Sequence, residues 1–176
     1  MALTLIQTQI ASGASDVSFT SGIDSTYKTY LFKVNSLHPG TSGVKFEFQA
    51  NASGASGYNE TMITTYFRTY VTEDGSLNLF GFSTGDAQSG TAFQPLSHGT
   101  SNHADAATNG ELWLFNPSNT TYVKHFHARF SQFGNTAIQD DYAAGLFSPT
   151  SAIDEIQFKQ SSGTFDATIS MYGVSE

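Results

Sequence analysis

The sequence predicts an all-β fold, a single-domain antiparallel β-sandwich of about eight to ten strands with a jelly-roll-like arrangement. Charged residues make up 12% of the 176 residues and aromatic residues 14%, whereas helical proteins need many charged side chains on their solvent faces. Apolar and polar residues alternate along much of the chain, with turn-forming residues between the alternating segments. No stretch carries an apolar stripe with helical spacing. We therefore expect residues 1–176 to form one domain.

The first half of the chain contains a series of predicted strands separated by turn signals. They span residues 3–10, 16–21, 26–37, 44–51, 60–73 and 76–84. Alternation is clearest in the fourth, where Val44, Phe46 and Phe48 point to one face and polar side chains lie between them. The turn at Asp74 and Gly75 predicts that the last two strands form a hairpin.

The second half begins with the least regular region of the chain, Gly85–Gly110, which we expect to form long loops that make contacts. Two hairpins are predicted after it. An Asn-Pro turn separates residues 111–115 from residues 120–133, and a Ser-Gly-Thr link separates residues 152–162 from residues 165–174.

The strand that ends at Phe130 carries a cluster of basic side chains. Alternation places His125, His127 and Arg129 on one face, with the two histidines about 7 Å apart, a spacing that a metal ion can bridge. A third ligand would have to come from the histidines in turns and loops, which are His38, His98 and His103. Arg129 on the same face repels a cation. We therefore expect a polar or inter-subunit strand face and no metal, with His125 and His127 as minor candidate ligands.

The sequence gives little support for catalysis. Adjacent carboxylates occur at Asp140 and Asp141, but neighbouring residues in a strand point to opposite faces, so they form no glycosidase pair by themselves. A carboxylate pair assembled from distant strands stays open. The chain has no cysteine and no Gly-x-Ser-x-Gly elbow, phosphate loop or calcium loop. We expect no enzyme and no cofactor.

Aromatic residues are the other candidates for contacts. Trp113 lies in a continuous apolar run, which predicts a place in the core. Tyr58 and Tyr142 are interpreted as loop residues and are therefore better candidates for stacking on a sugar or anchoring an interface. Tyr122 lies in the predicted strand that carries the basic side chains, on the face opposite His125 and His127. The candidate partner-binding residues are thus Tyr58, Tyr122, His125, His127, Arg129 and Tyr142.

Charge and the N-terminal segment narrow the choice of partners. The formal net charge is −8, and no cluster of cations suits a phosphate backbone, so we expect no nucleic-acid binding. The first residues contain no basic region followed by a long apolar run. We expect neither a signal peptide nor membrane insertion, and synthesis in a cytoplasm.

Several segments carry a resemblance to a known group of proteins. They are FTSGIDSTYKTYLFKVNSLHP, SGYNETMITTYFRTY, GTAFQPLS, GELWLFNPSNTTYVKHFHARF and TSAIDEIQFKQSSGTFDATISMYGV. In this order, and over nearly the whole chain, they resemble a family of small, mostly uncharacterised structural proteins of marine tailed phages. The resemblance implies a virion component and supplies no catalytic or binding residues.

The virion role expected first is capsid decoration, with the protein bound to the outer head surface as an oligomer. Decoration proteins often form trimers over symmetry axes, and closed cyclic symmetry is the usual expectation for homo-oligomers. Its partners would be copies of itself and phage capsid or tail proteins. The alternative is a tail-fibre or tail-tip protein that binds a receptor or host-surface glycan through loop tyrosines. A depolymerase that degrades surface polysaccharide is a more distant third.

Overall fold

The computed structural model describes residues 2–83, 86–134 and 136–175. Over these ranges the chain folds into strands joined by turns, and no segment forms a helix with the length and apolar content that a membrane crossing needs. The strands are β1 (Ala2–Ala14), β2 (Asp16–Phe19), β3 (Thr29–Pro39), β4 (Val44–Ala52), β5 (Met62–Thr72), β6 (Asn78–Phe82), β7 (Ser89–Gly90), β8 (Gln94–Thr100), β9 (Thr108–Phe115), β10 (Lys124–Phe133), β11 (Ala137–Phe147), β12 (Ile153–Gln160) and β13 (Phe165–Ser175).

The strands form two packed antiparallel sheets, which confirms the predicted β-sandwich. In the large sheet the order is β1-β13-β3-β9-β10-β11-β5-β6, with β7 also paired to β5. The small sheet has the order β2-β12-β4-β8. The jelly-roll arrangement stays a prediction. The hairpins β5–β6 and β9–β10 are confirmed by their register.

The core consists largely of phenylalanine rings from the facing sides of the two sheets. Phe46 and Phe48 of β4 are completely buried, as their alternation predicts. Phe48 meets Phe126 of β10 edge to face at 4.9 Å between ring centroids, and Phe46 stacks on Phe158 of β12 at 5.7 Å. Aromatic pairs of this kind contribute about 0.5–1.5 kcal/mol each beyond the area they bury.

Three predictions about elements are wrong. The closing segments do not form a hairpin, because β12 pairs with β2 and β4 in the small sheet, whereas β13 pairs with β1 and β3 in the large sheet. A short link that contains glycine suits either a hairpin or a change of sheet, so its spacing does not distinguish them. The region Gly85–Gly110 is not all loop, because β8 forms an edge of the small sheet; Gly85 itself lies outside the described residues.

The third correction is β11, which the sequence pattern did not predict. Its inward positions include Gln139 and Asp141, which are 6% and 0% exposed. These polar side chains interrupt the apolar half of the alternation, so the strand signal is lost. This strand, together with β7 and β8, raises the number of strands above the predicted eight to ten.

Lys124 is the most unusual residue of the core. Its side chain is completely buried at the start of β10. Its ammonium donates hydrogen bonds to the carbonyl oxygens of Asn119, at 3.3 Å, and Pro149, at 3.0 Å. Burial lowers the pKa of Lys124, because the charged form loses its hydration. The side chain thus connects β10 to two chain segments, the one between β9 and β10 and the one between β11 and β12.

Candidate functional site

The outer face of the large sheet, the side turned away from the small sheet, carries most of the residues proposed for partner binding. In β10 the side chains of His125, His127 and Arg129 are exposed, and those between them are buried. The predicted alternation of this strand is therefore confirmed. Its regularity follows from the sandwich, because one side of β10 packs on the small sheet and the other does not.

Arg129 is held in a defined position on this face. Its Nε donates to Asp140 Oδ1 at 3.1 Å and to Oδ2 at 3.0 Å, and its Nη2 donates to Oδ2 at 2.6 Å. The Tyr142 hydroxyl donates to the same Oδ2 at 2.9 Å. Hydrogen bonding to Asp140 raises the pKa of Tyr142, so its hydroxyl stays neutral at physiological pH. The hydrogen bonds from Arg129 to Asp140 restrict the arginine side chain, although it is 62% exposed.

Tyr142 lies in β11, so its interpretation as a loop residue is wrong. One face of its ring stacks on Phe67 at 4.6 Å between centroids, with 9° between the planes. The Arg129 guanidinium lies 5.3 Å from the ring centroid. In register, Phe67 and Arg129 flank Tyr142 from the neighbouring strands on its two sides. The ring therefore has no free face on which a sugar could stack.

Tyr58 and Tyr122 lie apart from this group. Tyr58 is in the loop between β4 and β5, as expected, but it is half-buried and its hydroxyl donates to Glu155 Oε2 of β12 at 3.0 Å. Its side chain therefore contacts the small sheet and not the outer face of the large sheet. Tyr122 lies in the connection before β10 and is 69% exposed. The structure thus brings together His127, Arg129 and Tyr142, with His125 two residues further along the same face.

The histidines do not gather around a common point. The His127 ring lies 5.2 Å from the Phe115 ring and 6.1 Å from the Trp113 ring. His38 Nδ1 contacts the Ala106 carbonyl oxygen at 3.0 Å, and His98 Nδ1 contacts Asp86 at 2.9 Å. Within the described ranges, no three His, Asp or Glu side chains are arranged to hold a metal ion.

Trp113 is not a core residue, which corrects the prediction from its apolar run. Its neighbours Leu112 and Leu114 are completely buried, but Trp113 points to the outer face and is half-buried. Its Nε1 donates to Glu111 Oε1 at 3.0 Å. The opposing Leu31 is only 2% exposed, because Trp113 and Tyr172 flank it in register. The continuous apolar run thus reflects side-by-side packing on the outer face.

A buried charge cluster escaped the sequence reasoning because its members are distant along the chain. Asp86 is 2% exposed; it contacts Lys45 Nζ at 2.5 Å and His98 Nδ1 at 2.9 Å, and it accepts a hydrogen bond from Ser83. Burial opposes its ionisation, but the bonds from His98, Lys45 and Ser83 outweigh it and hold the pKa of Asp86 well below its usual range. The cluster joins β4 and β8 to Ser83 and Asp86, which lie between β6 and β7.

A second buried carboxyl, Asp141, lies where β8 crosses the large sheet. Its Oδ2 accepts from the His98 backbone N–H at 3.3 Å and from Gln132 Nε2 at 3.2 Å, while its Oδ1 has no hydrogen-bond partner. Burial raises the pKa of Asp141 to about 6. Asp140 and Asp141 point to opposite faces, as expected of neighbours in a strand.

The two edges of the large sheet form the most exposed apolar surfaces. At one end, β1 exposes Leu3 at 47%, Leu5 at 56% and Ile10 at 76%. At the other end, β6 exposes Phe80 at 74% and Phe82 at 59%. Neither edge strand contains a charged residue or a proline. Edges of this composition are suited to pairing with another chain.

The outer face and the two edges are thus the surfaces of the described chain best suited to contacts. The face combines a fixed ion pair with aromatic side chains, and the edges combine free backbone groups with apolar side chains. No family model matches the chain, and comparisons with the curated proteins and with the solved structures found no match.

Proposed function

We propose that the protein is a structural component of a phage virion that decorates the outer surface of the head as a cyclic oligomer, a trimer in the simplest case. The observation that carries the proposal is the pair of exposed, uncharged, apolar edges at opposite ends of one sheet. The resemblance of the sequence to virion proteins of tailed phages supports the same role. The protein acts by contact rather than by catalysis.

The β1 edge lacks most of the features that protect edge strands. Natural edges are shielded by charges, prolines, bulges or short length. β1 runs over 13 residues, Ala2–Ala14, and has no charge or proline. Its register shifts between Leu5 and Gln7 and between Ala11 and Ala14 leave Gln7–Ala11 regular. This stretch can pair with a strand from another molecule.

The β6 edge is shorter but more apolar. It spans Asn78–Phe82, and both of its phenylalanines are among the most exposed hydrophobic side chains of the described chain. Phe80 also packs on Phe67 of β5 at 5.6 Å between ring centroids. A second chain at this edge would remove both rings from water, which is favourable by about 25 cal/mol for each Å² of apolar area.

Contact between the β1 edge of one copy and the β6 edge of another would form a closed ring. If β6 of one copy pairs with β1 of the next, every copy uses the same two surfaces, and the assembly closes when the rotation between copies permits it. The large sheet then continues from copy to copy. The outer faces of the copies lie around one axis, an arrangement suited to a symmetry axis of a capsid shell.

Two measurements test the proposal. Quantitative mass spectrometry of purified virions should find hundreds of copies per particle; a few copies would contradict decoration and favour the tail-tip role. Light scattering on the purified protein should find a trimer. Phe80→Asp and Ile10→Asp should reduce it to a monomer, because each places a charge in an apolar edge.

Tyr122→Asp is the matched control, since Tyr122 is similarly exposed but lies in no edge strand. This variant should remain trimeric. A wild-type protein that stays monomeric at high concentration, or edge variants that stay trimeric, would show that the edges are not the interface.

A further inference from the structure

One row of side chains across the outer face has a gap. In register, Trp113 of β9, His127 of β10, Ala144 of β11 and Thr65 of β5 lie next to one another in that order. The first two positions carry rings, whereas the third carries only a methyl group. The small side chain of Ala144 therefore leaves a space between His127 and Thr65.

The neighbouring row closes one end of this space. There Arg129, Tyr142 and Phe67 stand side by side on the same three strands. Together the two rows enclose a cleft of about 340 Å³ over Ala144, a volume at the lower end of the range for small-molecule sites, about 300–1,000 Å³. We call this the Ala144 cleft.

The dimensions of the cleft suit one six-membered ring. Adjacent strands lie about 4.8 Å apart, so the backbones that carry His127 and Thr65 are separated by about 10 Å. A ring that stands between them contacts each wall at about 3.5–4.0 Å. The aromatic rings next to His127 lie on β9, away from Ala144. The side of the His127 ring that faces Ala144 is therefore open to the cleft.

Polar groups meet at one end of the cleft. Arg129 uses Nε and Nη2 on Asp140, which leaves Nη1 as a donor without a partner among the described residues. Glu111, another wall residue, accepts from Trp113 through Oε1 only. A carboxylate oxygen and a guanidinium N–H thus lie beside an apolar floor. They match the adjacent hydroxyl groups on the rim of a sugar ring, whose C–H groups suit the methyl floor.

We infer that the Ala144 cleft binds one uncharged pyranose unit of a polysaccharide. An aromatic guest would leave Glu111 and the free Arg129 donor unsatisfied, and a nucleotide or acidic sugar would be repelled by a chain of net charge −8. The site differs from a platform of loop tyrosines, because Tyr142 serves as a wall and not as a stacking surface. It lies on the outer face and not in the edge strands that would join copies, although its wall residue Phe67 packs on Phe80 of β6.

Saturation-transfer NMR on the full chain tests this inference, with D-glucose, D-galactose, D-mannose and their neutral oligosaccharides as probes. At least one probe should receive saturation from the wild-type protein. In Ala144→Leu the saturation transferred to that probe should fall at least about tenfold, because the larger side chain fills the cleft. In Glu111→Gln the transferred saturation should decrease. Thermal unfolding checks that both variants fold.

Ser131→Leu is the matched control, since it introduces the same leucine side chain at an exposed position of β10 on the far side of Arg129 from the cleft. It should bind as the wild type does. Binding that survives in Ala144→Leu, or no saturation of any probe by the wild type, would overturn the inference. So would saturation of phenol or indole in place of the sugars. None of these outcomes alters the test of the trimer, which uses particles and edge variants.

Discussion

At the scale of single residues, Asp140 and Asp141 are neighbours in β11, but their carboxyl groups lie in different environments. Asp140 faces outward, where Arg129 and Tyr142 bond to it. Asp141 faces inward and is completely buried, and one of its oxygens has no partner. Burial therefore raises the pKa of Asp141 to about 6. At neutral pH the fold contains an ionised carboxylate that it would hold better as the neutral acid.

Asp141→Asn should therefore stabilise the protein at pH 7.5. The pKa of Asp141 in the folded protein lies above the ordinary aspartate value of 3.8, so the stability that this carboxyl contributes is complete below that value and is lost as pH rises through about 6. A shift of this size corresponds to a destabilisation on the order of 2–3 kcal/mol above pH 7. Urea unfolding at pH 4.5 and 7.5 should show a clearly larger gain at the higher pH.

Asp140→Asn is the control for that measurement. It removes the exposed contact with Arg129, so we expect a loss of at most about 1 kcal/mol at pH 7.5. Equal pH dependence in the wild type and in Asp141→Asn would mean that Asp141 ionises without a penalty in the folded protein.

At the scale of elements, alternation predicts strands well where one face is wholly apolar. β4 meets this condition, and β10 meets it between Phe126 and Phe130, so the faces of His125, His127 and Arg129 follow from it. β11 does not, because its inward Gln139 and Asp141 bond to groups on β8 and β10 that only the fold brings near. For the same reason, the contacts among Asp86, Lys45 and His98 could not be predicted from spacing. The Ala144 cleft depends on β11, so it could not be predicted from the sequence either.

Glycine at position 110 is an element-scale requirement of the central strand β9. A Cβ there would lie 2.5 Å from the Arg129 carbonyl oxygen and from the Phe130 ring, and the backbone oxygen cannot move away easily. Gly110→Ala should therefore destabilise the protein by about 1–3 kcal/mol, measured by urea unfolding. Gly81→Ala is the control, because its Cβ would meet nothing within 4 Å; a similar loss in both variants would count against crowding as the cause.

At the scale of the whole molecule, charge opposes the proposed assembly. Each copy carries a formal net charge of −8, whereas the edge strands β1 and β6 are uncharged. Copies therefore repel one another at long range and attract only where apolar surface is covered. The sequence already predicts this overall balance, but only the fold shows that the uncharged segments lie at the two ends of one sheet.

Added salt should strengthen the trimer. Between about 10 mM and 150 mM salt the screening length falls from about 30 Å to about 8 Å, so repulsion between copies weakens while the apolar contact persists. Sedimentation velocity at fixed protein concentration should show a larger trimer fraction at the higher salt, and Phe80→Asp should stay monomeric in both. A trimer that dissociates as salt is added would point instead to a charged interface, such as the outer face around Arg129.

The pairing of β1 with β13 has a consequence for biosynthesis. β13 lies between β1 and the rest of the large sheet, with Ala2 opposite Ser175. β1 leaves the ribosome before β13 and therefore has no partner in the sheet until β13 follows. At ~5–20 residues per second, this delay is roughly 10–30 seconds. During that time an uncharged, apolar strand is exposed in a crowded cell, so nascent chains on neighbouring ribosomes are most vulnerable to mispairing at the segment that we propose as an assembly edge.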